Sequence, residues 1–173
     1  MTVLFYLSAA LAIVATAMTI TRRVAINALL YLVISLLATA IIFYTLGAPF
    51  VAGLEVIVYA GAIMVLFLFV TMMLNLTPQA VQAQQAWFSL DAWAGPAILA
   101  LILVAELIYA LASGLQQPPN LQAIEPKAVA LALYGPYLLA VELASVLLLA
   151  GLVGAYHLGH RPPVGVEKAG EVQ

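Results

Sequence analysis

The fold of this chain is decided by the stretch from Glu55 to Asn75, whose sequence is EVIVYAGAIMVLFLFVTMMLN. A helix of about 20 residues at ~1.5 Å each covers the ~30 Å hydrocarbon layer of a bilayer, so this stretch predicts a membrane-spanning helix. Its first half is polar for such a helix, because Glu55 lies near the start and Tyr59 follows one turn later on the same face. Gly61 then contributes little packing, and a glycine inside a helix costs roughly 1 kcal/mol relative to alanine. The stretch therefore predicts a deformable first half joined to a stiffer apolar second half.

The composition of the whole chain is that of an integral membrane protein. Of its 173 residues, 66% are hydrophobic and only 7% are charged, whereas about 25% of the residues in a soluble domain are charged. The absence of cysteine excludes disulfides, thiolate metal sites and iron–sulfur clusters held by this chain. A net charge of -2 without a basic patch excludes a nucleic-acid partner. We expect one membrane domain over residues 1–158 and a cytoplasmic tail over residues 159–173.

Hydrophobic periodicity and turn residues predict an all-α, polytopic fold with five transmembrane helices. A short interfacial helix is expected from Lys127 to Tyr134, because Gly135-Pro136 interrupts the apolar sequence that follows the last loop. The five predicted spans cover residues 2–20, 25–46, 50–76, 91–112 and 136–158.

The basic residues predict the orientation. Arg22 and Arg23 follow the first apolar run, whereas a signal peptide carries its positive charge before that run. We therefore expect a retained first helix with the amino end outside and, after five crossings, a cytoplasmic carboxyl end. Arg161 and Lys168 then also lie on the cytoplasmic side and only Lys127 lies outside, which is the positive-inside pattern.

Three carboxylates lie within the predicted spans, namely Glu55, Glu106 and Glu142. At ~1.5 Å per residue all three fall in the outer half of the membrane. An ionisable residue in a span is a candidate for an ion or proton path, since an unpaired charge there costs several kcal/mol. The alternative is that these glutamates reach headgroup water, or are protonated against an arginine of a partner subunit.

Tyr59 and Gly61 each permit two interpretations. Tyr59 lies ~13 Å into its helix, and its hydroxyl needs a partner, which is either a group on a neighbouring helix or a hydrogen-bonded water path. Gly61 either allows close helix packing or marks a position where the helix forms a π-bulge.

The sequence predicts no catalytic residues, no cofactor-binding residues and no metal site. His157 and His160 lie three residues apart, but no other histidine is present, and their place at the cytoplasmic interface favours solvent or subunit contact. If the chain belongs to an enzyme, the redox chemistry takes place in other subunits.

Two separated parts of the chain resemble one family, the J subunits of bacterial respiratory complex I, the proton-pumping NADH:quinone oxidoreductase. The sequence YAGAIMVLFLFVTMMLN at Tyr59 to Asn75 is similar to the family's third helix, also found in the mitochondrially encoded sixth membrane subunit. The sequence YLLAVELASVLLLAGLVGA at Tyr137 to Ala155 resembles its last helix, in which a serine follows a glutamate by three residues, here Glu142 and Ser145. The arginine pair and the run NALLYLVISLLATAIIFYTLGAPF from Asn27 also fit. One departure is that Val24-Ala25-Ile26 contains no proline, which indicates a different entry into the second helix.

The resemblance implies a subunit of the bacterial cytoplasmic membrane with no cofactor of its own. Its partners would be the quinone-binding subunit and the antiporter-like subunits, while FMN, iron–sulfur clusters and quinone would be held elsewhere in the complex. In this family the third helix can carry a π-bulge near the position of Gly61 that is associated with opening a water path beside the tyrosine. The resemblance therefore adds Val65 to Tyr59, Gly61 and Glu55 as coupling candidates.

Two other functions remain open from the sequence. The chain could be a small ion transporter, or a subunit of a cation/proton antiporter, that uses Glu55, Glu106 and Glu142 as an ion site. It lacks a carboxylate or lysine at the membrane centre and shows no internal repeat of the transporter kind. The third possibility is a scaffold that only fills space between larger subunits.

Overall fold

The structure is a computed structural model that describes residues 2–22, 25–73, 90–112 and 123–160. All regular structure in these ranges is helical. The helices are α1 (Thr2–Thr21), α2 (Ala25–Thr45), α3 (Pro49–Met73), α4 (Leu90–Ala112), α5 (Pro126–Tyr134) and α6 (Leu138–Gly159).

The five predicted spans are confirmed as helices long and apolar enough to cross a membrane. Their bounds differ from the predicted ones by a few residues, and the short helix predicted before the last span is present as α5. The predicted end of the third span at Leu76 lies outside the described residues. So does most of the predicted tail. No described residue shows on which side of a membrane either terminus lies.

The chain divides into two compact units, one ending at Glu125 and the other beginning at Pro126. The first contains α1 to α4, and the second contains α5 and α6. The prediction of a single membrane domain remains a prediction.

A tight turn between α2 and α3 makes these helices neighbours. Gly47 has a φ of 84°, a conformation that favours glycine. The N–H of Gly47 donates to the carbonyl of Tyr44, and the N–H of Ala48 donates to that of Phe43. This is the Schellman arrangement that ends a helix. Pro49 then occupies the first turn of α3, where its missing N–H costs nothing.

Small residues let α1, α2 and α4 approach closely. The core of the first unit is formed by Leu11, Ala15, Ile34, Ala38 and Leu103. Ala15 and Ala38 are completely buried. Alanine side chains on α1 and α2 therefore form part of this close helix packing.

In the second unit, a turn over residues 135–137 connects α5 to α6. The N–H of Tyr137 donates to the carbonyl of Ala132, and the N–H of Leu138 donates to that of Gly135. A Cβ atom at Gly135 would lie 2.7 Å from the carbonyl oxygen of Leu131, so the turn requires glycine.

Candidate functional site

The middle of α3 is a π-helix from Glu55 to Ile63, here called the π segment. The N–H of Glu55 still bonds to the carbonyl of Val51, four residues back, whereas the N–H of Met64 bonds to that of Tyr59, five residues back. The α-helical parts Pro49–Leu54 and Met64–Met73 flank it. Most π-helices are single-turn bulges within α-helices, and they are frequent at functional sites. A run of nine consecutive π residues is longer than such a bulge and makes this the least regular part of α3.

Gly61 lies close to the backbone of the preceding turn of the π segment. A Cβ atom at this position would be 3.2 Å from the carbonyl oxygen of Val56, five residues back. Of the two interpretations of Gly61, the structure therefore has the π conformation. Neither a second conformation nor a rotation of α3 is part of this structure, so the coupling function of Gly61 remains a prediction.

None of the residues of the π segment is buried by the rest of the described chain, and six of the nine are exposed. Tyr59 is 52% exposed, and its hydroxyl has no hydrogen-bond partner among the described residues. The hydroxyl is therefore left to a group outside the described residues or to water. Val65 is likewise exposed. The residue before it, Met64, is buried and is the first residue of the following α-helical part.

Glu55 and Glu142 differ from each other in their surroundings. Glu55 is half-buried, and neither of its carboxylate oxygens accepts a hydrogen bond from a described residue. Glu142 is exposed, and Ser145 Oγ donates to its backbone carbonyl at 2.7 Å, not to its carboxylate. The glutamate–serine spacing in α6 is thus a local helix contact.

Glu106 is the carboxylate whose placement differs most from the prediction. It does not reach the surface of its helix bundle, because its side chain is only 4% exposed. Ser8 Oγ donates to Glu106 Oε2 at 2.7 Å, joining α1 to α4. Of the two interpretations of Glu106, the structure therefore does not have the alternative of headgroup water or an arginine of another subunit, and its candidacy for an ion or proton path remains a prediction. A serine of this chain is its partner, since Ser8 and Glu106 lie on the helix faces that pack together.

Sequence reasoning missed two further polar contacts along α1. Thr16 and Ser35 share a hydrogen bond of 2.7 Å between their hydroxyls, and Ser35 Oγ also lies 3.2 Å from the carbonyl of Ala12 as a donor. Arg22 Nη2 donates to the hydroxyl of Tyr31 at 3.2 Å. Ser8, Thr16 and Arg22 are 8 and 6 residues apart. Neither spacing is a multiple of the helical period, so periodicity gave no signal for these contacts.

Arg22 and Tyr31 also define a close helix contact with α4. The guanidinium carbon of Arg22 lies 5.2 Å from the ring centre of Tyr31, within cation–π range. Tyr31 is 2% exposed, and a methyl group at Gly95 would overlap its hydroxyl. The sequence predicted Arg22 as a membrane anchor, and the structure adds its contact with α2.

A cavity of about 390 Å³ lies between these helices and the start of the π segment. Its lining is apolar and comes from α1, α2, α3 and α4. Val56 and Gly53 line it from α3, and Leu4, Leu103 and Leu107 line it near the Glu106–Ser8 contact. Among the described residues, no group of three or more His, Cys, Asp or Glu side chains could hold a metal ion.

Comparison with known proteins gives the family. Residues 15–158 match the profile of NADH-ubiquinone/plastoquinone oxidoreductase chain 6. The chain is 53% identical over 161 residues to the NADH-quinone oxidoreductase subunit J of Pseudomonas aeruginosa, covering 91% of this chain and 95% of the relative. It is 50% identical over 168 residues to subunit J of Escherichia coli strain K12, covering 97% and 89%. Subunit J of Buchnera aphidicola from Acyrthosiphon pisum is 42% identical over 164 residues, covering 95% and 96%. With its apolar helices, the chain therefore belongs to the NADH-quinone oxidoreductase chain 6 family and is a multi-pass membrane subunit of complex I.

Proposed function

We propose that this chain couples quinone reduction elsewhere in complex I to proton transfer, through the π segment of α3. The observation that supports it best is the combination of an irregular π backbone with side chains that the chain itself leaves uncovered. A π turn contains one more residue than an α turn. When a π turn converts to an α turn, the part of the helix before it therefore rotates about the helix axis by about 100° relative to the part after it. Such a rotation would move Tyr59 and Glu55 against whatever group lies outside this chain.

Tyr59, Gly61, Val65 and Glu55 are the proposed coupling residues, with Glu142 as a further proton-path candidate on α6. Tyr59 supplies a hydroxyl that can both donate and accept, as a proton path requires. Gly61 lets the backbone adopt the π form, and Val65 begins the apolar part that follows it. Glu55 supplies a carboxylate one turn before Tyr59.

The partners proposed for this chain are the quinone-binding subunit and the antiporter-like subunits of the complex. FMN, iron–sulfur clusters and quinone are proposed to be held by those and other subunits, in keeping with the absence of cysteine from this chain. The proposed location is the bacterial inner membrane, with the amino end outside and the carboxyl end in the cytoplasm. The independent transporter and the antiporter subunit are set aside, because every relative named above is a complex I subunit.

The test begins with purification of the complex in mild detergent through a tag on the carboxyl end. Flavin- and iron–sulfur-containing partners with inhibitor-sensitive NADH:quinone activity are expected to co-purify. In that complex, Gly61→Leu should lower the number of protons pumped per NADH, since the larger side chain meets the Val56 carbonyl in the π form. If Gly61→Leu and Tyr59→Phe both assemble and leave pumping and NADH oxidation intact, the coupling proposal is wrong and a scaffold function remains.

A further inference from the structure

Glu106 is a buried carboxyl that belongs neither to the π segment nor to the surface of the chain. It lies on α4, its side chain is 4% exposed, and its Oε1 atom is buried with no hydrogen-bond partner among the described residues. A carboxylate normally has two oxygens that each accept hydrogen bonds. One oxygen of Glu106 is therefore satisfied by Ser8 and the other is not.

The helices packed against α4 offer no positive charge to an ionised Glu106. Neither α1 nor α2 contains a lysine, arginine, histidine or acidic residue within its bounds. Arg22 follows the end of α1, but it is 14 residues beyond Ser8 along the chain and bonds to Tyr31. At ~1.5 Å per residue those positions are about 20 Å apart. The polar side chain that meets Glu106 is thus the neutral hydroxyl of Ser8.

The hydrogen-bonding groups of Glu106 and Ser8 are better satisfied when Glu106 is a neutral carboxylic acid than when it is a carboxylate. With a proton on Oε2, the 2.7 Å separation is an ordinary hydrogen bond donated by the carboxyl to Ser8 Oγ. The Ser8 hydroxyl is then able to donate to a carbonyl one turn earlier, as Thr16, Thr19 and Thr21 do on the same helix. Oε1 becomes a carbonyl oxygen, whose missing partner costs far less than an unpaired charge.

The lining of the space beside this contact does not provide a polar group to stabilise a charge. The cavity of about 390 Å³ is bounded near Glu106 by Leu103 and Leu107, and near Ser8 by Leu4. Such a lining offers a water molecule no polar partner to hold it. An ionised Glu106 would therefore face hydrocarbon on one side and a single hydroxyl on the other.

We propose that Glu106 is a positioning residue that clamps α4 to α1 as a neutral carboxylic acid and keeps its proton during turnover. It lies outside the proton path and holds the helices against which α3 is placed. The inference does not depend on the coupling proposal, because it concerns α1 and α4 and not the π segment.

The test compares Glu106→Gln with Glu106→Ala in the whole complex. Glutamine is neutral, has the same length and can donate to Ser8, so Glu106→Gln should leave the amount of complex, the protons pumped per NADH and their pH profile within twofold of wild type. Glu106→Ala removes the clamp and should lower the amount of assembled complex several-fold. The matched control is Glu125→Gln with Glu125→Ala, because Glu125 is exposed, lies outside the membrane helices and is not among the proposed coupling residues.

Each other outcome counts against the proposal. A Glu106→Gln complex that assembles but pumps fewer protons, or has a shifted pH profile, would show that Glu106 exchanges its proton. Loss of assembly in Glu106→Gln would show that the negative charge of Glu106 is needed. Full assembly of Glu106→Ala would show that Glu106 does not clamp α4 to α1. These results are distinct from a failure of the coupling proposal, which is read from Tyr59 and Gly61 alone.

Discussion

Tyr59 shows what a single side chain can contribute to a membrane protein of this kind. Its ring is half-exposed on a helix that the rest of the chain does not cover there, and its hydroxyl has no partner among the described residues. A hydroxyl in hydrocarbon without a partner is costly. Its partner is therefore water or a group outside the described residues, and the proposed coupling acts on this hydrogen bond.

The first prediction concerns this hydroxyl. Tyr59→Phe keeps the ring and removes one donor and acceptor, so the complex should assemble at its wild-type level. The rate of proton pumping should fall about tenfold if the removed hydrogen bond contributes about 1.4 kcal/mol to the transfer step. The initial rate of pumping into inverted vesicles, normalised to the amount of assembled complex, measures it.

The control for Tyr59→Phe is Tyr109→Phe on α4. Tyr109 is also an exposed tyrosine within a membrane span. Unchanged pumping in Tyr109→Phe together with reduced pumping in Tyr59→Phe would tie the effect to the π segment. An equal loss in both variants would point to a general effect of removing membrane tyrosines.

At the scale of the helix, α3 contains two glycines in contrasting surroundings. A Cβ atom at Gly53 meets no atom within 4 Å, whereas one at Gly61 meets the carbonyl of Val56 at 3.2 Å. In an α-helix the N–H of Gly61 would pair with the carbonyl of Ile57, so the Val56 carbonyl would no longer lie opposite it. The Gly61 contact is therefore a property of the π form.

The second prediction uses this pair of glycines. Alanine at either position improves helix propensity by up to ~1 kcal/mol. At Gly61 it should also disfavour the π form relative to the α form by about 1 kcal/mol, roughly a fivefold change in their ratio. A structure of the complex carrying Gly61→Ala should show a straighter α3, and Gly53→Ala should keep the π segment. A π segment preserved in Gly61→Ala would contradict the steric argument.

The third prediction concerns the contact of α2 with α4. Gly95→Ala should destabilise the first unit by about 1–3 kcal/mol, because the added methyl group overlaps the Tyr31 hydroxyl. The temperature at which NADH:quinone activity is lost on heating should fall. Tyr31→Phe in the same chain should restore part of the loss by removing the overlapping oxygen. If the double variant is no better than Gly95→Ala, the close approach at Tyr31 is not the cause.

At the scale of the whole molecule, the described helices of the first unit differ in how they are held. Side-chain hydrogen bonds join α1 to α2 and α4 at three levels, through Ser8, Thr16 and Arg22. The π segment of α3 has no such bond among the described residues and no buried side chain. These three contacts tie α1, α2 and α4 together, and the proposed coupling assigns the conformational change to the π segment, which lacks such a contact.

The fourth prediction concerns topology, and the lack of cysteine makes it simple to test. With the amino end outside, a cysteine introduced at Thr2 or Glu125 should react with an impermeant maleimide in intact spheroplasts. A cysteine at His160 should react only in inverted vesicles. The reverse pattern would overturn the proposed orientation and would move Glu106 to the cytoplasmic half of the membrane.

The sequence by itself determined the class of this protein, its helices and its family. Long apolar runs with few charges allow little besides membrane helices, because every backbone polar group must be satisfied within the segment. The π segment lies where the sequence predicted weak packing around Gly61, and its deformability remains a prediction.

Only the tertiary structure decided what the polar side chains do. Glu106 and Ser8 are 98 residues apart in the chain, and their contact depends on which faces of α1 and α4 meet. The same holds for Tyr31, which the sequence presents as one aromatic among many and the structure places between Arg22 and Gly95. Helix periodicity fixes which residues share a face, but in a chain this uniformly apolar it does not fix which face turns inward.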